Sequence, residues 1–170
     1  MATGMKTGMQ SAKRPVSRLA GPYGHPFHPI LVTVPIGAWV ASLVFDLASR
    51  LGSQPDVFAT GSRWLVGLGI VGALAAAMFG LLDLFAIPTG TRAFRTGLLH
   101  MTLNLVVVVL FATSFLLRGG DAPDGVSVGL IALSLVALAL LAVSGWLGGQ
   151  LAYRYGVRVA DEATQAEGYR

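Results

Sequence analysis

The sequence predicts an all-α membrane protein, a polytopic bundle of four transmembrane helices. Two observations lead there. Of 170 residues, 54% are hydrophobic and only 12% are charged, about half the charge that a soluble domain carries. The apolar residues also fall into four blocks, each long enough to cross ~30 Å of hydrocarbon as a helix. With no cysteine in the chain, disulfides, thiolate metal sites and cysteine-ligated iron–sulfur clusters are excluded. The net charge of +4 is read as the usual Lys and Arg excess of cytoplasmic segments, not as a nucleic-acid surface.

Residues 1–24 carry Lys6, Lys13, Arg14 and Arg18 without an acid. They read as a disordered basic cytoplasmic tail against anionic headgroups, not as a cleaved signal, because the apolar block begins late and is too long for one. The first span covers 28–49. Pro29 suits a first helical turn, whereas Pro35 lies inside the helix, removes a backbone donor and is expected to kink it.

A loop over 50–62 leads to the second span, 63–87. Here Gly72, Ala76 and Gly80 recur at four-residue spacing, a small-residue face that admits another helix closely. Pro88-Thr89-Gly90 ends it. The third span, 94–117, contains His100 and Asn104. A Gly- and Asp-rich loop, 118–125, precedes the fourth span, 126–151. Residues 160–170 form a C-terminal tail. Trp64 fits an interfacial belt, and Trp146 is expected to pack on the small residues beside it.

Topology follows from the basic residues. With the N-terminus inside, the inner segments hold nine Lys and Arg: four in the N-terminal tail, Arg92 and Arg95 in the connector, and Arg154, Arg158 and Arg170 at the C-terminus. The outer loops hold three, Arg50, Arg63 and Arg118. Both termini are therefore expected in the cytoplasm. This order puts His28, Asp83, His100 and Asn104 at the inner-leaflet side, with Gln150, Tyr153 and Tyr155 at the same level. Polar side chains at membrane depth face the bundle interior. Asp46 falls at the opposite end, where Arg50, one turn on, is its expected partner. For Asp83 the nearest counter-charges are Arg92, Arg95 and His100.

His28 and His100 stand on different helices at comparable depth. Two such imidazoles are candidate axial ligands of a b-type haem, or metal ligands with Asp83 as a third. Asp83 and Asn104 are the neighbouring polar groups of that site. His25 precedes the span and reads as interfacial. No Ser-His-Asp order, HExxH, phosphate loop or paired-carboxylate pattern is present, so no catalytic residue is assigned and an enzyme is not expected.

The segments HPILVTVPIG, GLLDLFAIP, HMTLN and GWLGGQLAYRYGVRV resemble, in order, those of a bacterial integral-membrane family, domain of unknown function 2231. The resemblance covers about residues 28–159. It implies a small four-helix membrane protein and, through the family's association with Rieske-type domains, a redox setting. The family pattern often has histidines where this chain has Thr33 and Tyr155, so the resemblance leaves His28 and His100 as the one pair. The expected function is a membrane component in the bacterial plasma membrane, with a membrane redox partner or a second copy of itself and the lipid bilayer as its surroundings. The other readings are a small transporter or proton-handling protein using the same cluster, and a structural subunit anchoring a partner through the Gly72–Gly80 face.

Overall fold

The structure, a computed structural model, describes residues 2–119, 122 and 124–170, with side chains from residue 8 onward. The chain is 78% helical and no strand occurs among the described residues, which makes the fold all-α. The elements are α1 (Ala2–Lys13), α2 (Phe27–Leu31), α3 (Thr33–Leu51), α4 (Pro55–Phe85), α5 (Arg92–Leu117), α6 (Val128–Gly149) and α7 (Glu162–Ala166). A π-helical turn, Gln150–Arg154, continues α6. Four stretches are long and apolar enough to cross a membrane: Phe27–Leu51, Pro55–Phe85, Arg92–Leu117 and Val128–Arg154.

Two local features depart from the sequence reading. The second span begins at Pro55, not near Arg63. Proline at the first helical position gives up no hydrogen bond, and Asp56 beside it complements the positive helix end. Pro35 acts as expected, but upstream of itself. A proline clashes with the carbonyl four residues earlier, here Leu31, and the helix is interrupted at Val32. Part of the expected loop 118–125, residues 120, 121 and 123, lies outside the described residues.

The chain divides into two compact units. One, the terminal unit, comprises Met1–Ile30, Ala76–Met101 and Ser144–Arg170; the second comprises Leu31–Ala75 and Thr102–Val143. Within the second unit the core is Trp39 stacked on Phe111, ring centroids 4.3 Å apart and planes 9° from parallel, with Val66, Val107 and Ala137 packed around them. The Trp39 indole N–H donates to the Val66 carbonyl at 3.3 Å. Outward-facing positions are apolar: Val40, Val44, Leu47, Leu68, Val71, Leu105, Val109 and Leu116 are all exposed. The buried set, in contrast, includes Ser42, Ser49, Ser62, Ser114 and Ser134. An apolar exterior around a partly polar interior suits a solvent of lipid chains, which cannot satisfy a hydroxyl or a charge.

Among those serines lies an ion pair. Asp46 is 0% exposed and Arg118 7%. Arg118 Nη1 and Nη2 approach Asp46 Oδ1 and Oδ2 at 2.5 and 2.7 Å, a bidentate pairing. The remaining donors are satisfied by hydroxyls: Nη1 reaches Ser62 Oγ at 2.9 Å, Nε Ser114 Oγ at 3.1 Å, and Nη2 Ser134 Oγ at 3.3 Å. The Ser62 hydroxyl also faces Asp46 Oδ1. This corrects the expected Asp46–Arg50 pair. Sequence proximity favours Arg50, but its side chain is turned outward, with Nη1 on the Val126 carbonyl at 3.2 Å.

In the terminal unit, residues 2–24 are folded onto the rest, where a disordered tail is expected. Ala12 belongs to a core with Leu84, Ile87 and Val157. The Arg158 N–H donates to the Ala12 carbonyl at 2.9 Å, and Ser11 Oγ to the Ala86 carbonyl at 3.2 Å. These partners come from 75 to more than 140 residues away, which is why the segment's polar composition gives no sign of them. Trp146, expected to pack on the small residues beside it, is exposed, as is Trp64.

The small-residue face of α4 receives other parts of the same chain. A methyl group added at Gly72 would lie 2.8 Å from Val34 Cγ1, closer than any real contact. Gly72→Leu therefore forces α3 away from α4. Overpacking of this kind costs about 1–3 kcal/mol, and the thermal midpoint of the detergent-solubilised protein, followed by circular dichroism, is expected to fall; an unchanged midpoint would refute the close approach.

Candidate functional site

Of the residues singled out from sequence, the terminal unit brings together His28 and His100. Their ring centroids are 6.2 Å apart with planes at 89°. Each ring is held by a main-chain oxygen of the next span: α4 for His28 and α6 for His100. His28 Nδ1 lies 2.9 Å from the Ala76 carbonyl. His100 Nδ1 lies 2.8 Å from the Ser144 carbonyl and 3.0 Å from Ser144 Oγ, and that hydroxyl donates onward to the His100 carbonyl at 3.2 Å. A carbonyl can only accept, so in both rings Nδ1 carries a proton, and the bond at Nδ1 fixes the ring's direction.

Glycines make this placement possible. A Cβ at Gly80 would come within 3.0 Å of the His28 ring, and one at Gly148 within 3.2 Å of the His100 ring. Each imidazole thus lies against bare helix backbone. In addition, Phe27, beside His28, packs edge-on against Phe79, centroids 5.8 Å apart.

Asp83 follows Gly80 by three residues and so shares its helix face, but its partner is none of the three expected cations. Asp83 Oδ1 lies 2.7 Å from Arg158 Nε. The contact is an ion pair by distance, with the N–H poorly aligned for a hydrogen bond. Arg158 is 4% exposed, and its Nη2 donates to the Ala20 and Gly21 carbonyls at 2.9 and 3.2 Å. Its backbone is left-handed, φ 61°, an unusual state for a side-chain-bearing residue that lets the guanidinium turn back under α4. Sequence reasoning missed Arg158 because it lies beyond the last span, among residues read as a tail. Asp83 is accordingly engaged by Arg158. Asn104, one turn beyond His100 on α5, belongs to the second unit. His25 is exposed, as expected of an interfacial residue.

Nearby, Asp161 begins α7, accepting from the Thr164 N–H at 2.9 Å; this bond and the adjoining Tyr23 hydroxyl hold its carboxyl below the usual carboxylate range.

A family model described as predicted membrane protein, DUF2231, matches residues 24–161. The chain belongs to this family. No curated protein and no solved structure matches it. The matched region ends at Asp161, so it takes in both His28 and Arg158, while α1 lies outside it.

The two readings of Asp83 separate in a mutant pair. Asp83→Leu leaves the Arg158 guanidinium buried without a counter-charge, a loss of about 3–5 kcal/mol. Asp83→Leu combined with Arg158→Leu is expected to recover much of that loss, read as the thermal midpoint in detergent. A double variant no better than the single one would mean that the ion pair is not the brace.

Proposed function

We propose that this DUF2231 chain is a non-enzymatic membrane component that carries electrons for a membrane redox partner, with one haem b held between His28 and His100. The observation that carries the reading is the imidazole pair itself. The two rings lie with centroids 6.2 Å apart and planes at 89°, and His28 and His100 are the residues that would hold the group. Among the described residues no three His, Cys, Asp or Glu come together in a metal-holding group. A bare zinc-type ion needs three or four protein ligands, whereas haem asks the protein for only two. The donor set therefore fits haem better than a bare ion.

When bound, haem supplies reversible one-electron chemistry at a potential set by its axial ligands. The chain's own residues do the positioning. The Ala76 and Ser144 carbonyls hold the protons on Nδ1, Gly80 and Gly148 give the rings room, and the Asp83–Arg158 pair braces the end of α4. Asn104 is proposed as a polar neighbour on the His100 helix. The proton-handling reading is weakened because Asp83 is engaged by Arg158. The anchor reading is weakened because the Gly72–Gly80 face already receives Val34, Pro35 and His28. The nine-to-three distribution of basic residues supports an orientation with both termini in the cytoplasm.

The test is the visible spectrum of protein purified in detergent from haem-replete cells, oxidised and then reduced with dithionite. Wild type is expected to show a Soret band and a reduced α-band, both lost in His28→Ala and in His100→Ala. A colourless, haem-free wild type, or unchanged spectra in both variants, overturns the proposal.

A further inference from the structure

Three of the side-chain pairs that meet in this protein stand in one arithmetic relation. His28 and His100 are 72 residues apart, with ring centroids 6.2 Å apart and planes at 89°. Trp39 and Phe111 are 72 apart and stack. Asp46 and Arg118 are 72 apart and pair. Ser42 and Ser114 share that offset, as do Ser62 and Ser134, and all four are fully buried. Ser62, Ser114 and Ser134 bond the Asp46–Arg118 pair directly, and the Ser42 carbonyl accepts from Ser62. Pro35 and Val107, also 72 apart, are both buried.

Contact between equivalent positions is what a twofold relation produces near its axis, residue i of one copy meeting residue i of the other. The first copy is the hairpin of α2–α3 and α4, the second that of α5 and α6. The acceptors for the two histidines, Ala76 and Ser144, are 68 apart, and so are the glycines under their rings, Gly80 and Gly148. Both pairs carry the same four-residue shift, about one helical turn. The second copy is thus shorter by one turn between Ser134 and Ser144, and keeps the histidine arrangement on either side of that deletion.

Most positions in this set hold like groups: imidazole and imidazole, ring and ring, hydroxyl and hydroxyl, or two apolar side chains. One pair is complementary instead of alike: Asp46 with Arg118. We propose that the four spans are two copies of one helical hairpin, and that this acid and base key the first hairpin to the second. Like hairpins from two molecules would bury aspartate against aspartate or guanidinium against guanidinium in a layer without water, an arrangement that lacks a counter-charge. The interface accepts one partner and rejects the near-identical other by charge alone, a repulsive device of the kind that separates similar partners.

The test uses the full chain. Asp46→Arg and Arg118→Asp each place like charges together and are expected to lower the thermal midpoint by on the order of 10 °C or to abolish the monodisperse species. The double exchange, Asp46→Arg with Arg118→Asp, is expected to restore most of the loss. To separate keying from bracing, Ser42→Cys supplies the only thiol in the chain. In the native background, mild oxidation is expected to give no covalent dimer, because position 42 is fully buried within one chain. With both Asp46 and Arg118 changed to Leu, like hairpins can pair, and a dimer linked by a disulfide at position 42 is expected. No recovery in the charge exchange overturns the duplication-based pairing. Recovery without a covalent dimer in the leucine background overturns the keying and leaves a brace.

Discussion

In hydrocarbon a polar group has no solvent to fall back on, and this constraint organises the whole molecule. A soluble domain hides its apolar side chains; here valines and leucines face outward, and serines, an aspartate and an arginine are enclosed. The Asp46–Arg118 pair is the most demanding case. Each charge alone would be severely penalised at that depth. Bidentate geometry and three hydroxyls satisfy every guanidinium nitrogen. Such a network is satisfied in one register of the helices, so it specifies an arrangement even where its net contribution to stability is modest.

The terminal unit applies the same rule with different groups. Two histidines give their Nδ1 protons to main-chain oxygens, and the glycines beside them remove the side chains that would push the rings away. Asp83 and Arg158 neutralise each other one turn along α4. The guanidinium also ties the segment around Ala20 and Gly21 to the same point, so one residue near the C-terminus holds both an acid of the second span and the chain ahead of the first. The two imidazoles are therefore held against helix backbone on two sides.

How much of this is legible in the sequence differs from residue to residue. Hydropathy and the basic-residue bias alone place His28 and His100 at one depth, and the structure brings their rings together. Asp83 is recognisable as a buried acid needing a cation, but the nearby candidates Arg92, Arg95 and His100 are not its partner, since the cation stands at position 158. The same shortcut assigns Asp46 to Arg50. In both cases short sequence separation substitutes for proximity, and helix packing overrides it. The 72-residue offset is also present in the sequence. It becomes readable only when the pairs that touch are known, because the two halves share few identities beyond those at the contact positions.

Reading the chain residue by residue is enough to settle the class of object: four helices long and apolar enough to span a bilayer, the break that Pro35 imposes, and the family to which the chain belongs. These are local or additive properties, fixed by composition, length and backbone chemistry. Folding in three dimensions settles the rest: which charge answers which, that residues 2–24 fold back onto the end of the chain, and that the histidines face each other with their protons directed away. Those outcomes depend on how helices distant in sequence are rotated about their axes, and a rotation of one residue, about 100°, is enough to exchange one partner for another.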